Sequence, residues 1–374
     1  MKSKLNKIAL ATLCLGLAFF ISCSDLPDIN EEGATSSSSG TGGSPSSPST
    51  GGNSSSAGGS GAKSSSSGSK PQQPTGGIWN GTADTTWYSG TKIEFSISTA
   101  EHLAGLALLV NKGNYMSGKT INLTANIILN DTKDWQNWED NAPDNSWTPI
   151  KNFQGKFDGN GHVISGAYYS NTDSINIGLF GTVNGKAAIK NLGIEASYFS
   201  GKDRIGGIVG SNIGGTDVTI SNSYSKGIVK TITPSGSAGG LVGRLSGGKI
   251  SDCYSTSTVI GINTTYSNIG GLAGSAGTSN RDIINIINSY STGKVLGTGQ
   301  YKSREGGLVG DLYFPNSTTN VANSYYDTNT SGQNDNTGKG EPKTTEEMQS
   351  EAFAELLGDA FKYKAGSYPL LKWQ

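Results

Sequence analysis

The stretch Ala238-Gly-Gly-Leu-Val-Gly243 occurs in five versions between Ile177 and Gly310. These are IGLFG (177–181), IGGIVG (205–210), AGGLVG (238–243), IGGLAG (269–274) and EGGLVG (305–310). Their closing glycines are 29, 33, 31 and 36 residues apart. Repeats with a period of about 20 to 50 residues are typical of arrays in which each unit buries its apolar face against its neighbours. The spacing therefore predicts stacked repeats rather than one compact core.

A second phrase, Ile/Val-x-Asn-x-Tyr, follows the glycines in the later repeats. Its members are Ile220, Asn222 and Tyr224; Ile250, Asp252 and Tyr254; Ile286, Asn288 and Tyr290; and Val321, Asn323 and Tyr325. The first repeat has Ile189, Asn191 and Gly193 at these positions. Alternate residues of a strand share a face, so we expect all three positions to point inward and the intervening serines to face water.

Stacked asparagines in this register could form a hydrogen-bonded amide ladder from repeat to repeat. Asp252 introduces a charge, and we expect it to interrupt that ladder. The tyrosine column is expected at a core or corner position, and it is a second candidate sugar-binding surface if it faces out.

The first 77 residues predict export and anchoring. Lys2, Lys4 and Lys7 precede an apolar run over residues 8–21, which suits a signal peptide and is short for a membrane span. Phe20-Ile21-Ser22-Cys23 resembles a bacterial lipobox, with an ordinary secretory peptide as the alternative. We therefore predict a signal peptide over 1–22, lipidation of Cys23, and an acidic, Ser/Gly-rich disordered tether over 23–77.

The repeats are flanked by two segments with helix signals. Residues 78–176 are predicted to form an N-terminal cap and the first stacked strands, with a capping box at Ser98–Glu101 and a helix to about Asn111. Within it, Lys119–Leu129 alternates as a strand, and Asp158–Gly161 predicts a tight turn with positive φ. The repeats occupy 177–327. Residues 328–374 form a C-terminal cap, with a capping box at Thr344–Glu347, a helix to about Leu357, and a final segment packed on the last repeat.

The GG-[LI]-[VA]-G and NSY-S phrases resemble the GLUG repeat of bacterial surface proteins, which include some IgA-specific metallopeptidases. The likeness extends over about residues 93–345 through the lead-in FQGKFDGNGHVISG and the exit SYYDTNTSGQ. It implies an all-β fold: a parallel β-helix or β-solenoid, right-handed, with short capping helices at both ends. It also implies an extracellular or surface setting, and no single activity.

Three further motifs are weak. Gly113–Thr120 fits the phosphate-loop pattern, but a helix precedes it and a strand follows, the reverse of the required order, so we predict no nucleotide site. The two histidines, His102 and His162, lack zincin spacing. Asp327–Gly332 begins like a calcium loop but has Gly338 where the bidentate acid belongs, which favours a polar turn. We expect no cofactor, no metal and no catalytic residue set.

The segment from Asn130 to Trp147 is the best candidate binding site. Tryptophans next to carboxylates can stack on sugars and bond their hydroxyls, and the candidate residues are Trp135, Trp138, Trp147, Asp140 and Asp144. Two alternatives remain open. The tryptophans could instead cover the first repeat, or the carboxylates could act as the acid and base of a β-helix lyase or glycoside hydrolase.

The sequence as a whole predicts an outer-membrane lipoprotein facing the cell surface or the periplasm. The membrane is engaged through Cys23, and the repeats are predicted to bind polysaccharide or another surface protein. A net charge of −1 argues against nucleic acid. One alternative is the polysaccharide lyase or hydrolase, which a charged fraction of 15% does not favour. The other is a structural spacer of the envelope.

Overall fold

Parallel β-sheets dominate the computed structural model, which describes residues 77–374 apart from 214–216, 263–265, 278–282, 299–303, 313–317, 336 and 338. The predicted signal peptide, Cys23 and nearly all of the tether lie outside the described residues. Within the described ranges, no helix has both the length and the apolar character needed to cross a membrane. The predicted all-β class with parallel strands is confirmed.

The largest sheet has 15 strands among the described residues. They are Glu94–Ile97, Thr120–Leu123, Ile127–Ile128, Lys156–Ser165, Tyr168–Ser170, Ala188–Gly201, Thr219–Ser221, Tyr224–Thr231, Gly248–Ser251, Tyr254–Ser255, Thr258–Gly261, Ile283–Ser291, Val295–Gly297, Thr318–Asp327 and Glu341–Lys343. Every pairing within it is parallel, and each repeat pairs with the next along the chain.

Two smaller parallel sheets take one strand each from the five repeats. One contains Ile175–Ile177, Asp203–Gly206, Ser237–Gly239, Asn268–Gly270 and Glu305–Gly306. The other contains Phe180–Val183, Val209–Asn212, Val242–Leu245, Ala273–Ala276 and Val309–Leu312. Each glycine phrase therefore makes the corner between these two sheets.

The same apolar position stacks in register from repeat to repeat. Phe180 pairs with Val209, Val209 with Val242, and Val242 with Ala273. All four are completely buried. Together with Ile189, Ile220, Ile250 and Ile286 of the largest sheet they form one continuous inner core. The inward direction predicted for the isoleucine column is confirmed.

Close packing at the corner explains why the glycines recur. A Cβ atom on Gly207 would lie 1.9 Å from Ser225 Oγ, and one on Gly240 would lie 2.0 Å from Ser255 Oγ. Contacts this short cannot be relieved by a small shift, because the backbone of the next repeat lies on the other side. The second glycine of the three middle phrases therefore leaves room for the serine that follows the tyrosine, and Gly307 of the last phrase leaves room for Tyr326.

The asparagine column corrects the predicted strand geometry. Asn191, Asn222, Asp252, Asn288 and Asn323 have φ between 48° and 56°, so each bends the chain in the left-handed region. Asparagine tolerates this conformation better than most residues. Because the backbone is no longer extended there, the rule that alternate residues share a face fails. Isoleucine and tyrosine therefore point to opposite sides of the sheet.

Two expectations change as a result. The serines after the asparagines were expected to face water. Instead Ser223, Ser289 and Ser324 are at most 1% exposed and lie on the side of the sheet that faces the inner core. The asparagines themselves lie on a half-exposed corner instead of the interior. Their side chains still form the predicted ladder, with Nδ2 of Asn222 donating to Asn191 Oδ1 at 2.6 Å.

Asp252 interrupts the ladder as predicted. Asn288 donates to the Asp252 carboxylate at 3.1 Å, and Asn323 donates to Asn288 at 3.4 Å. Asp252 has no side-chain N–H with which to continue to Asn222, and the structure shows no hydrogen bond between these two side chains. The ladder is therefore split into two runs.

The N-terminal helix α1 spans Ala100–Asn111, as predicted, but its N-cap is Thr99, whose hydroxyl accepts from the His102 amide. The expected capping box one residue earlier is wrong. The alternation between Lys119 and Leu129 is confirmed as an inward face, although it forms two short strands. Asn160 and Gly161 have positive φ inside the strand Lys156–Ser165, where they shift the register instead of making a tight turn.

The C-terminal part contains α2 (Thr328–Ser331), α3 (Thr345–Met348), α4 (Glu351–Leu357) and an antiparallel pair, Phe361–Lys362 with Leu370–Leu371. The capping box at Thr344 and Glu347 is confirmed. The single predicted helix is instead two, because Ser350 caps a second start. The final segment does not lie on the last repeat alone; it crosses the tyrosine column of several repeats.

Candidate functional site

The loop between Leu129 and Trp147 is closed at its base by one side chain. Asn130, only 3% exposed, donates from Nδ2 to Asn145 O at 2.8 Å and accepts at Oδ1 from Asn145 N at 3.0 Å. The same amide donates to Gly166 O at 2.9 Å. An asparagine can satisfy two chain segments at once in this way, so the loop is held against the largest sheet.

Trp147 is part of the inner core. Its ring is 1% exposed, its Nε1 donates to Leu179 O at 3.0 Å, and its edge meets Trp79 at a centroid distance of 6.1 Å. This is the arrangement expected of a tryptophan that covers the first repeat, since the polar edge finds a backbone acceptor when the ring is buried.

Trp138 packs on the outside of the largest sheet. It is 3% exposed and meets Tyr168 edge-on at 5.9 Å, and Tyr168 stacks on Tyr198 at 5.7 Å. Glu139 next to it forms an ion pair with the buried Lys230 ammonium. Burial raises the pKa of Tyr198, and the Glu139 carboxylate adds to that rise. The loop is thus fixed across two repeats.

A polar cleft of about 320 Å³ opens beside this loop. Its lining includes Asp131, Asp134, Asn141, Asp144, Asn145 and Trp138. The structure therefore brings together two of the predicted site residues, Trp138 and Asp144. Trp135, Trp147 and Asp140 lie outside this lining, and Asp140 is exposed.

A second, more apolar cleft of about 340 Å³ lies between α1 and two other segments, residues 79–83 and residues 146–148. Its lining includes Trp79, Ala104, Ala107, Leu108, Lys112 and Trp147. Asn145 Nδ2 donates to Trp79 O at 2.7 Å and joins the walls of the two clefts. Sequence reasoning missed this cleft, since its alanines carry no binding signal and Trp79 is remote in sequence from Trp147.

The remaining candidates have structural surroundings. His102 Nε2 lies 3.4 Å from Asp84, whereas His162 lies by Asn126 and its pKa is lowered by burial. Across the described ranges, no group of three His, Cys, Asp or Glu side chains could hold a metal ion. Asp327 caps α2 by accepting from the Asn329 and Thr330 amides, which confirms a polar turn at the motif that resembles a calcium loop.

The expected order around Gly113–Thr120 is also observed, since α1 precedes this segment and the strand Thr120–Leu123 follows it. Its amides therefore do not lie at the start of a helix. A phosphate loop requires that position, because the backbone N–H groups there point at the phosphate.

Comparison with known proteins supports the repeat assignment. The family model described as the GLUG motif matches residues 235–260, which include the central glycine phrase. The chain is 27% identical over 238 residues to halomucin of Haloquadratum walsbyi, covering 56% of this chain and 2% of that protein. It is 32% identical over 145 residues to a candidate Gly-rich membrane protein of Evansella cellulosilytica, covering 37% of this chain and 16% of that protein.

A solved structure has a similar fold. The crystal structure of a candidate immunoglobulin A1 protease from Bacteroides ovatus superposes with a TM-score of 0.51 at 20% identity. The match covers 75% of this chain and 93% of that one. At this identity the likeness shows a shared fold and nothing about activity. The predicted resemblance to GLUG repeats is confirmed: this chain carries the GLUG motif.

Proposed function

We infer that this protein is a non-catalytic component of the cell envelope that binds polysaccharide through the polar cleft beside Trp138. In this proposal the stacked repeats form a right-handed parallel β-helix, and the cleft lies beside its first strands. Parallel pairing of each repeat with the next supports the helical path, and strand–crossover–strand connections in parallel sheets are almost always right-handed.

The composition of the polar cleft is the observation that carries the binding proposal. Asp131, Asp134 and Asp144 offer acceptors, and Asn141 and Asn145 offer both donors and acceptors. Lys133, whose ammonium lies 3.4 Å from the Asp131 carboxylate, adds a charged donor to the lining. Sugar hydroxyls donate and accept, so a mixed carboxylate and amide lining suits them. The volume, about 320 Å³, is in the range of small-molecule sites and suits one or two sugar rings.

The binding test compares variants within one loop. A Cys23→Ser chain, soluble after export, is titrated with a panel of neutral and acidic polysaccharides by calorimetry, and sugar release is assayed in the same samples. We expect Asp144→Asn to weaken binding at least about tenfold, as loss of a charged hydrogen-bond partner does. Asp140→Asn is the matched control, because Asp140 lies on the same loop outside the cleft.

Equal binding by the two variants would place the ligand elsewhere, and absence of binding to the whole panel would contradict the proposal. Release of sugar would instead favour the lyase or hydrolase alternative and direct attention to the three cleft aspartates.

Envelope location is a separate part of the proposal. The lipobox-like sequence ending at Cys23 supports anchoring, and one of the similar proteins is named as a membrane protein. We expect the unmodified chain in the outer-membrane fraction, exposed to protease added to whole cells, and Cys23→Ser in the soluble fraction. Continued membrane association of Cys23→Ser would refute lipid anchoring at this residue.

A structural spacer is the second candidate function. It is favoured by the burial of Trp138 and Trp147, at 3% and 1% exposed, which leaves neither ring with an open face for sugar stacking. The same titration distinguishes a polysaccharide-binding protein from a spacer, since a spacer binds no polysaccharide.

A further inference from the structure

A second apolar cluster lies on the outer side of the largest sheet. The tyrosine column supplies one wall of it, and the C-terminal segment 344–374, here called the strap, supplies the other. From the strap come Met348, Phe353, Leu357, Phe361 and Leu371, each at most 4% exposed. The column is therefore closed to a sugar, and its surface is already occupied by the chain itself.

The tyrosines form a regular stack. Tyr224 and Tyr254 have ring centroids 4.9 Å apart with 3° between planes, and Tyr254 and Tyr290 are 5.0 Å apart with 4°. The strap accepts hydrogen bonds from two of their hydroxyls: Tyr254 donates to Gln374 Oε1 at 3.0 Å, and Tyr290 donates to Pro369 O. Burial raises the pKa of Tyr254 and of Tyr290 above the ordinary tyrosine range.

The first repeat has no tyrosine at this position, and Trp373 of the strap extends the ring stack beyond Tyr224. Gly193 stands where the later repeats have tyrosine, and a Cβ atom there would lie 2.7 Å from the Tyr224 ring. Trp373 stacks on Tyr224 at 5.6 Å and donates from Nε1 to Asn222 O at 3.0 Å. A Cβ atom on Gly161 would lie 3.3 Å from the Trp373 ring, so this neighbouring glycine also makes room.

The other end of the strap is tied to the last repeat. The fully buried Asp327 carboxylate accepts from Thr345 Oγ1 at 2.7 Å and from the Tyr368 hydroxyl. Tyr325 of the same repeat packs edge-on to Phe353 at 5.3 Å. One segment of about thirty residues thus reaches from the fifth repeat to the second, and to Gly161 in the strand Lys156–Ser165 that precedes the first.

We propose that the strap is a lock that couples the last repeat to the second repeat and to the strand Lys156–Ser165, with Trp373 making the farthest contact. Repeats that contact only their neighbours unfold from the ends, because the terminal units have half the contacts. A segment that contacts the second to fifth repeats and the strand before the first removes this freedom. The five repeats then open together, which suits a domain displayed outside the cell. This inference does not depend on polysaccharide binding.

Hydrogen exchange on the full chain tests the lock. We expect Trp373→Ala to speed amide exchange in the strand Ala188–Gly201 at least about tenfold, although the two sites are some 180 residues apart in sequence. Trp373→Phe keeps a ring and should retain most of the protection. Tyr363→Ala is the matched control, since Tyr363 lies on the strap but is 42% exposed.

A change confined to the strap, with Ala188–Gly201 protected as in the unmodified chain, would overturn the proposal. Equal effects of Trp373→Ala and Tyr363→Ala would do the same, because they would show general loosening. If Trp373→Ala does not fold, Trp373→Leu, which keeps an apolar side chain but has no ring to stack on Tyr224, replaces it in the comparison with Tyr363→Ala.

Discussion

The inner core and the tyrosine column are both built by stacking one residue per repeat, yet they are closed in different ways. The inner core is enclosed by three sheets that the repeats themselves supply, and Val209, Val242 and Val309 are completely buried there. The tyrosines point outward from the sheet and are buried only because the strap covers them. A repeat can therefore close one of its two apolar faces locally, and the second requires a segment from elsewhere in the chain.

The largest effect should come from a charge in the inner core. Val242→Asp buries a carboxylate with no partner, and we expect a loss of more than about 3 kcal/mol in the free energy of unfolding. Lys226→Asp, an exposed position in the preceding repeat, is the control and should change stability little. Urea denaturation measures both, and an unchanged midpoint for Val242→Asp would show that the inner face is assigned wrongly.

The glycine corner should be nearly as sensitive. Gly240→Ala places a methyl group 2.0 Å from Ser255 Oγ and 2.2 Å from Gly271 O, so we expect a loss of about 2–3 kcal/mol. Gly90→Ala is the control, because no atom lies within 4 Å of its added carbon. Comparable melting temperatures for the two variants would mean that the repeated glycines are not required by packing.

The pH dependence of stability at alkaline pH should distinguish ionisation of the buried Cys253 thiol from ionisation of the buried tyrosines. Burial raises the pKa of Cys253 to about 12 from a model-compound value of 9.0. Below pH 9 both folded and unfolded chains hold the proton; above it the unfolded chain ionises first, so stability falls as pH rises toward 12. At pH 10 the ionisation of Cys253 alone should lower the free energy of unfolding by about 1.4 kcal/mol.

Cys253→Ser is the matched control for that titration. It should remove the decline that begins near pH 9 and leave the one that the buried tyrosines cause above pH 10, since Tyr290 has a raised pKa as well. An identical profile for both proteins would contradict the assignment to Cys253.

The smallest expected effect is a gain. Asp252→Asn supplies the missing donor between Asn222 and Asn288, so one continuous amide ladder can form along the corner. A net hydrogen bond of this kind stabilises by about 1 kcal/mol, and the left-handed φ of 56° suits asparagine. Thermal unfolding checks it, with Asn323→Asp, which should destabilise, as the reverse substitution.

Much of the inner core follows from sequence because its signal repeats. The glycine phrases occur five times, as does the column of four isoleucines and Val321, and each occurrence predicts the same inward position. The asparagine positions could not be placed by the same rule, because alternation assumes an extended backbone and these residues have positive φ. Asparagine in four repeats and aspartate in the third were the available signal, since both are among the few residues that favour that conformation.

The candidate site and the strap were harder to predict for a different reason. Trp138 is buried by Tyr168, and Trp147 by Trp79 and the inner core, so their exposure depends on contacts far apart in sequence. The glycine at 193 was visible as a departure from the tyrosine column, but nothing local connects it to Trp373. Only the assembled sheet brings Trp373 onto Tyr224, the ring that covers Gly193.

Native-state hydrogen exchange of the unmodified protein, followed through a urea gradient, tests the central claim most directly. If the strap closes the outer face and joins the ends, protected amides in all five repeats should converge on one opening free energy before global unfolding. Protection that is highest in the central repeat and falls in steps toward the first and the last would contradict the account, because it would show repeats that open independently.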